Sequence, residues 1–145
     1  MKWEDCAIYD LKHYRVWLRS IENLQNRIRM LDDRMKACRT AEITGMPSNH
    51  GGGRTPDDMW ADTIAEKENL KLGLAAERKR VELIERGLAI LTDDEKTVLT
   101  DFYIDRPAQY IDGLCEKLHI ERSKVYTIRK NALRKFTWTQ YGIDT

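Results

Sequence analysis

Little in this sequence interrupts a helix. Only three prolines occur, Pro47, Pro56 and Pro107, and each falls where other signals also mark a break. No run of about 18 apolar residues exists, so no membrane span is expected. The opening "MKWEDCAIYD" carries acids and lacks an apolar core segment, so no signal peptide is expected. The three cysteines, Cys6, Cys38 and Cys115, are odd in number and widely separated, which argues against a disulfide framework and suits a reducing cytoplasm. His13, His50 and His119 are equally scattered, with no Cys-x-x-Cys or His-x-x-x-His pair to suggest a metal site. Nothing resembles a nucleophile beside a base, a carboxylate cluster with metal spacing or a cofactor loop. No enzyme activity, cofactor or metal is therefore expected. Charge of one sign is missing too: 25 basic residues face 24 acids. Attraction to a polyanion must then come from local clustering.

What is present is helical periodicity. Between about Ile8 and Ala41 there is no Gly or Pro, and Tyr14, Trp17, Ile21, Leu24, Ile28, Leu31, Met35 and Cys38 recur at alternating threes and fours. That is a heptad seam. Such a rod extends about 50 Å and cannot bury its stripe on itself. Thr55-Pro56-Asp57-Asp58 reads as the start of a second helix, with Thr as cap, Pro at the first position and acids at the positive dipole end. Leu70, Leu74, Val81, Ile84, Leu88 and Leu91 continue it, although Lys67 and Glu77 occupy positions that the pattern makes apolar. Residues 1–91 are thus expected to form a long antiparallel, coiled-coil-like helical hairpin for self-association or partner binding. The connection at about 44–56, "TGMPSNHGGGRTP", lacks the order of a phosphate loop. It reads as a flexible link, with a contact loop using Arg54 as the alternative.

Residues 92–145 form the second expected domain. Thr92-Asp93-Asp94-Glu95 has capping-box spacing. Its helix should run to about Ile104, bury Val98, Leu99 and Phe102, and stop at Asp105-Arg106-Pro107. Helices follow at about 108–118 and 122–136, separated by His119-Ile120-Glu121. A helix-turn-helix needs a small residue at the crossing, here Cys115, and apolar residues flanking the turn, here Leu114, Leu118 and Ile120. The second helix must bury a stripe, supplied by Val125, Ile128, Ala132 and Leu133. The turn position that favours positive φ, commonly Gly, falls on His119. No stretch alternates with period two, so the predicted fold class is all-α.

Charge separates this unit from a mere packed pair. Arg122, Lys124, Arg129, Lys130, Arg134 and Lys135 face one acid between Glu121 and Phe136, whereas Asp93, Asp94, Glu95, Asp101 and Asp105 face only Lys96 in the segment before. The basic edge suits phosphate through counterion release. The acidic edge would repel DNA and leave its face to a protein partner. Exposed positions at the start of such a second helix reach base edges; these are Arg122, Ser123, Lys124 and Thr127. Arg129, Lys130 and Arg134 lie further along and suit phosphate contact. Phe136, Trp138 and Tyr141 are expected to close the small core, with a partner contact as the alternative.

The run "LTDDEKTVLTDFYIDRPAQYIDGLCEKLHIERSKVYTIRKNALRKF" resembles the DNA-binding fourth region of sigma factors. With the long helical region and "TGMP…GGG" before it, the chain is similar to phage-encoded transcriptional activators of the RinA/ArpU type. His119 stands where that pattern has Gly, and Glu121 where it usually has Ser. The resemblance implies a sequence-specific regulator in the cytoplasm of a bacterial host, with Arg122, Ser123, Lys124 and Thr127 reading the groove. The partners expected are double-stranded DNA and further copies of the chain, a dimer being favoured, with RNA polymerase a further candidate. The alternatives are a viral DNA-packaging recognition subunit of the small-terminase kind and a helical interaction module that binds polymerase without DNA.

Overall fold

The computed structural model describes residues 2–43 and 56–143. The fold is all-α: α1 spans Trp3–Ile43, α2 Pro56–Ala89, α3 Asp93–Leu99, α4 Tyr110–Leu118 and α5 Arg122–Tyr141, and a π-helical turn, Thr100–Ile104, continues α3. The glycine-rich connection, with Arg54 and the Thr55 cap, lies outside the described residues. Two compact units result, Met1–Leu18 with Lys79–Thr145 and, separately, Arg19–Arg78.

This division departs from the expected boundary at residue 91. The reason is a shared core: Ala7, Leu11, Ile84, Leu88 and Leu91 pack with Leu99, Ala132, Leu133 and Phe136. The ends of the two long helices therefore belong to the unit that holds α3, α4 and α5. Heptad spacing shows that a stripe must be buried, but not that its partner changes along the rod.

In the Arg19–Arg78 unit only two helical segments share the burden. Leu31 and Leu74 are buried, while Ile21, Leu24, Ile28 and Met35 remain half-buried and Cys38 is exposed. A two-helix pair shields each stripe from one side only. Arg27 donates to Glu66 at 3.0 Å, Lys67 pairs with Asp32, and the Arg39 guanidinium lies 5.4 Å from the Trp60 ring. Low numbers on α1 meet high ones on α2, so the segments run antiparallel. Lys67 thus occupies an apolar seam position because Asp32 answers it; its hydrogen bond and charge hold the Asp32 carboxyl below the usual carboxylate range.

In the other unit, Tyr14 donates to Glu85 at 2.9 Å and Arg80 lies 5.4 Å over Trp17. Burial and the Glu85 carboxylate push the Tyr14 phenol up to about 12. Thr92 and Glu95 form the expected capping box, Glu95 N–H donating to Thr92 Oγ1 at 3.3 Å and Thr92 N–H to Glu95 Oε1 at 3.5 Å. A second core gathers Val98, Phe102, Ile111, Leu114 and Val125, with Cys115, Leu118, Ile120 and Ile128 packed against it. A three-residue turn joins α4 to α5, and His119 takes the left-handed conformation, φ 55° and ψ 46°. Histidine tolerates this region better than branched residues do.

Gly87 shows why a helix breaker sits inside α2. A Cβ there would fall 2.7 Å from Phe136 Cε2 and 2.4 Å from Gln140 Nε2. Gln140 lies near the exposed end of α5, but Phe136 is fully buried and its ring has nowhere to go. Gly87→Ala should gain about 1 kcal/mol in helix propensity and lose about 1–3 kcal/mol to overpacking. Net destabilisation in a urea melt is expected. Gly73, whose added Cβ would meet only Leu24 Cδ1 at 3.9 Å, provides the opposite sign. Gly73→Ala should stabilise by up to about 1 kcal/mol, and equal responses of the two variants would refute the close approach at Gly87.

The Glu95 carboxylate yields a pH prediction. Burial pushes this carboxyl up, but hydrogen bonds from Lys135 and Thr92 outweigh it and hold the group below the usual carboxylate range. Its contribution is fully present above the unfolded pKa of about 4.3 and is lost as pH falls through the folded value. Glu95→Gln retains the capping geometry and deletes the charge. Its melting temperature should lie below that of the wild type at pH 7, and the gap should close as pH drops below about 4. A gap independent of pH would show that the charge contributes nothing.

Candidate nucleic-acid interface

The interface residues follow from how α5 is gripped. Val125, Ala132, Leu133, Phe136 and Thr137 are buried along one side. With about 100° between successive residues, the opposite side carries Lys124, Thr127, Asn131, Arg134 and Trp138 at spacings of three and four, and all five are exposed. Arg122, Ser123 and Lys130 are exposed as well. The four residues expected to read bases therefore lie in solvent within the first two turns of α5.

Local geometry shapes what they offer. Thr127 donates its hydroxyl hydrogen to Ser123 O at 3.1 Å, so toward a ligand it presents a lone pair and a methyl group. Glu121 begins α5 in extended conformation, φ −75° and ψ 158°, without a side-chain cap, and no acid lies in the first turn. The amides at this end are thus not taken up by a capping side chain, a state that favours nearby anions.

The three residues expected at phosphates do not sit alike. Lys130 and Arg134 are exposed, but Arg129 is half-buried on the packed side. Its Nη1–H donates to Tyr103 Oη at 3.2 Å, and its guanidinium carbon lies 5.6 Å from the Phe102 ring centre and 5.9 Å from that of Tyr126.

The acidic edge is largely neutralised from within. Glu95 and Asp101 are buried, and each accepts a 2.9 Å bond, from Lys135 and Lys117 respectively. Asp105 takes two bonds from Arg15, at 2.9 and 3.1 Å. Only Asp93 and Asp94 remain as exposed acids without such a pairing. Lys135 is correspondingly engaged within the unit.

Trp138 departs from its expected place in the core. It is 58% exposed, whereas Phe136 is fully buried and Tyr141 is half-buried, donating to Asp10. A cleft of about 450 Å³ lies beside Trp138, lined by Glu95, Ile128, Asn131, Arg134 and Lys135. Counting threes and fours from Lys124 places both Asn131 and Trp138 on the solvent stripe, against the core position expected for Trp138. Among the described residues, no group of three or more His, Cys, Asp or Glu is arranged to hold a metal, and no helix is long and apolar enough to cross a membrane.

No curated protein and no solved structure matches this chain. A family model described as a protein of unknown function, DUF1492, matches residues 41–137, a span that includes α3, α4, the turn and every candidate interface residue on α5 except Trp138. The chain belongs to the DUF1492 family.

Proposed function

We propose that this chain is a sequence-specific DNA-binding transcriptional regulator of the phage or prophage kind, acting in the cytoplasm of a bacterial host. The observation that carries the reading is the division of α5. One face is locked into the core directly after a three-residue turn that His119 opens in left-handed backbone, and the other presents Lys124, Thr127, Lys130 and Arg134 to solvent. In this reading α4 and α5 act as a helix-turn-helix whose second helix enters the major groove by its N-terminal end. Arg122 and Lys124 donate to guanine N7 and O6, Ser123 and Thr127 meet neighbouring edges, and Lys130 and Arg134 hold phosphates.

The exposed Trp138 and Ile90, 58% and 56% accessible, favour a second reading in which α5 is a protein-docking helix. Indifference to duplex DNA would favour it. A DNA-packaging subunit would instead assemble into rings, which molar mass in solution separates from a dimer.

Two measurements test the regulator reading. Affinity for duplex DNA should fall linearly with log salt, and Lys130→Ala should reduce the slope by about one unit on every sequence. A slope unchanged by that substitution removes Lys130 from the interface. Selection from a random duplex pool should return a preferred site, on which Lys124→Ala costs about 1–3 kcal/mol and much less on random DNA. Equal losses on both would mean that the N-terminal end of α5 touches only backbone.

A further inference from the structure

We infer that Tyr103 is a positioning residue, holding the Arg129 guanidinium ready for a phosphate; the inference rests on the DNA reading above and assigns it a device that α5 does not contain by itself. Arg129 lies one turn beyond the fully buried Val125, on the side of α5 that faces the core. An apolar residue would pack more simply there. The guanidinium instead lies beside the rings of both Phe102 and Tyr126, with Tyr103 Oη accepting from Nη1 and with Nε buried and unpaired.

Among the described residues no carboxylate pairs with Arg129, although Lys117, Lys135 and Arg15 in the same unit each have one. Its positive charge is therefore held in place by aromatic faces and one phenol, and left without an anion. A half-buried guanidinium loses hydration and gains most from a partner of fork geometry, which a phosphate has. The partner would come from outside the chain.

The π-helical turn explains how Tyr103 reaches it. Such a turn adds a residue to the helical repeat and recurs at functional positions. Here Phe102 is buried and Tyr103 half-buried, yet both meet Arg129. Asp101, also buried, anchors the turn through Lys117 of α4 at 2.9 Å. The turn, α4 and α5 are thereby tied at one place. Fixing the guanidinium before binding removes part of the ordering cost that a free arginine side chain would meet on the duplex.

The bland alternative is that the Tyr103 bond merely fastens the π-helical turn to α5. Binding of the full chain to a labelled duplex of random sequence separates the two. Tyr103→Phe keeps the ring and deletes the acceptor. It should melt close to the wild type and bind about three- to tenfold more weakly at low salt. In an Arg129→Ala background, where affinity is already lower and the salt slope reduced by about one, Tyr103→Phe should change nothing further. Wild-type affinity for Tyr103→Phe, or the same loss with and without Arg129, overturns the inference. Should Tyr103→Phe fail to fold, Arg129→Lys keeps the charge without the fork, and undiminished binding by that variant overturns it equally. Absence of any salt-dependent duplex binding by the wild type removes the DNA reading and this inference together. Normal wild-type binding with a normal Lys130→Ala response and an indifferent Tyr103→Phe removes this inference alone.

Discussion

The seating of Phe136 against the bare backbone of Gly87 fixes what α5 can show to solvent. The ring is fully buried, and a single added carbon at Gly87 would intrude on it. Around that contact, Gln140 donates to Leu83 O and Tyr141 to Asp10, which ties the C-terminal half of α5 to α2 and α1. The N-terminal half is held by Val125 and Ile128 against Phe102, Ile111 and Leu114. A helix gripped at both halves through one side cannot roll. The stripe from Lys124 to Trp138 is thus a rigid consequence of the core, and rigid elements place side chains more exactly than loops do.

The same packing sorts the charges. Glu95 and Asp101 are buried and each meets a lysine, while Asp105 meets Arg15 through two bonds. Removing the lysine from either buried pair leaves a poorly hydrated carboxylate behind. Glu95 of α3 and Asp101 of the π-helical turn are therefore spent on architecture, and the field they would project toward an approaching polyanion is reduced. Near-neutrality of the whole chain hides this arrangement. Burial or pairing of Glu95, Asp101 and Asp105 leaves a basic helix on a molecule of net charge +1.

Where a structural cause is local, the sequence carries it legibly. The Thr92–Glu95 box acts over three residues, and His119 adopts positive φ where the turn grammar demands it. The exposed Ser123, Lys124 and Thr127 follow from helical periodicity alone, and Arg122 is exposed as the first residue of α5. Causes that act across the chain are not legible in this way. Asp101 meets Lys117, Glu95 meets Lys135 and Asp105 meets Arg15 over separations of 16, 40 and 90 residues. No spacing rule selects those partners. The compact units do not follow residue 91 for the same reason: Leu11 and Ile84 join the core of Phe136 only once the chain has folded back. Trp138 illustrates the weaker inference that a large aromatic near a core belongs to it; its neighbour Thr137 is the buried one, donating to Leu133 O at 2.7 Å.

The short α4 completes this logic. Nine residues are too few to be helical alone, and both ends begin or stop in left-handed backbone, at Gln109 with φ 54° and His119 with φ 55°. Left-handed conformations cost about 1–2 kcal/mol at ordinary L-residues. What offsets them is burial: Ile111 and Leu114 enter the core beside Val125, and Lys117 reaches Asp101. Helix α4 therefore exists because α5 and the π-helical turn hold it, and it holds them in return. Loosening any one member of this set would free the start of α5. That start carries the candidate base-reading residues, so the position of Lys124 in solvent is decided by the buried side chains beneath it.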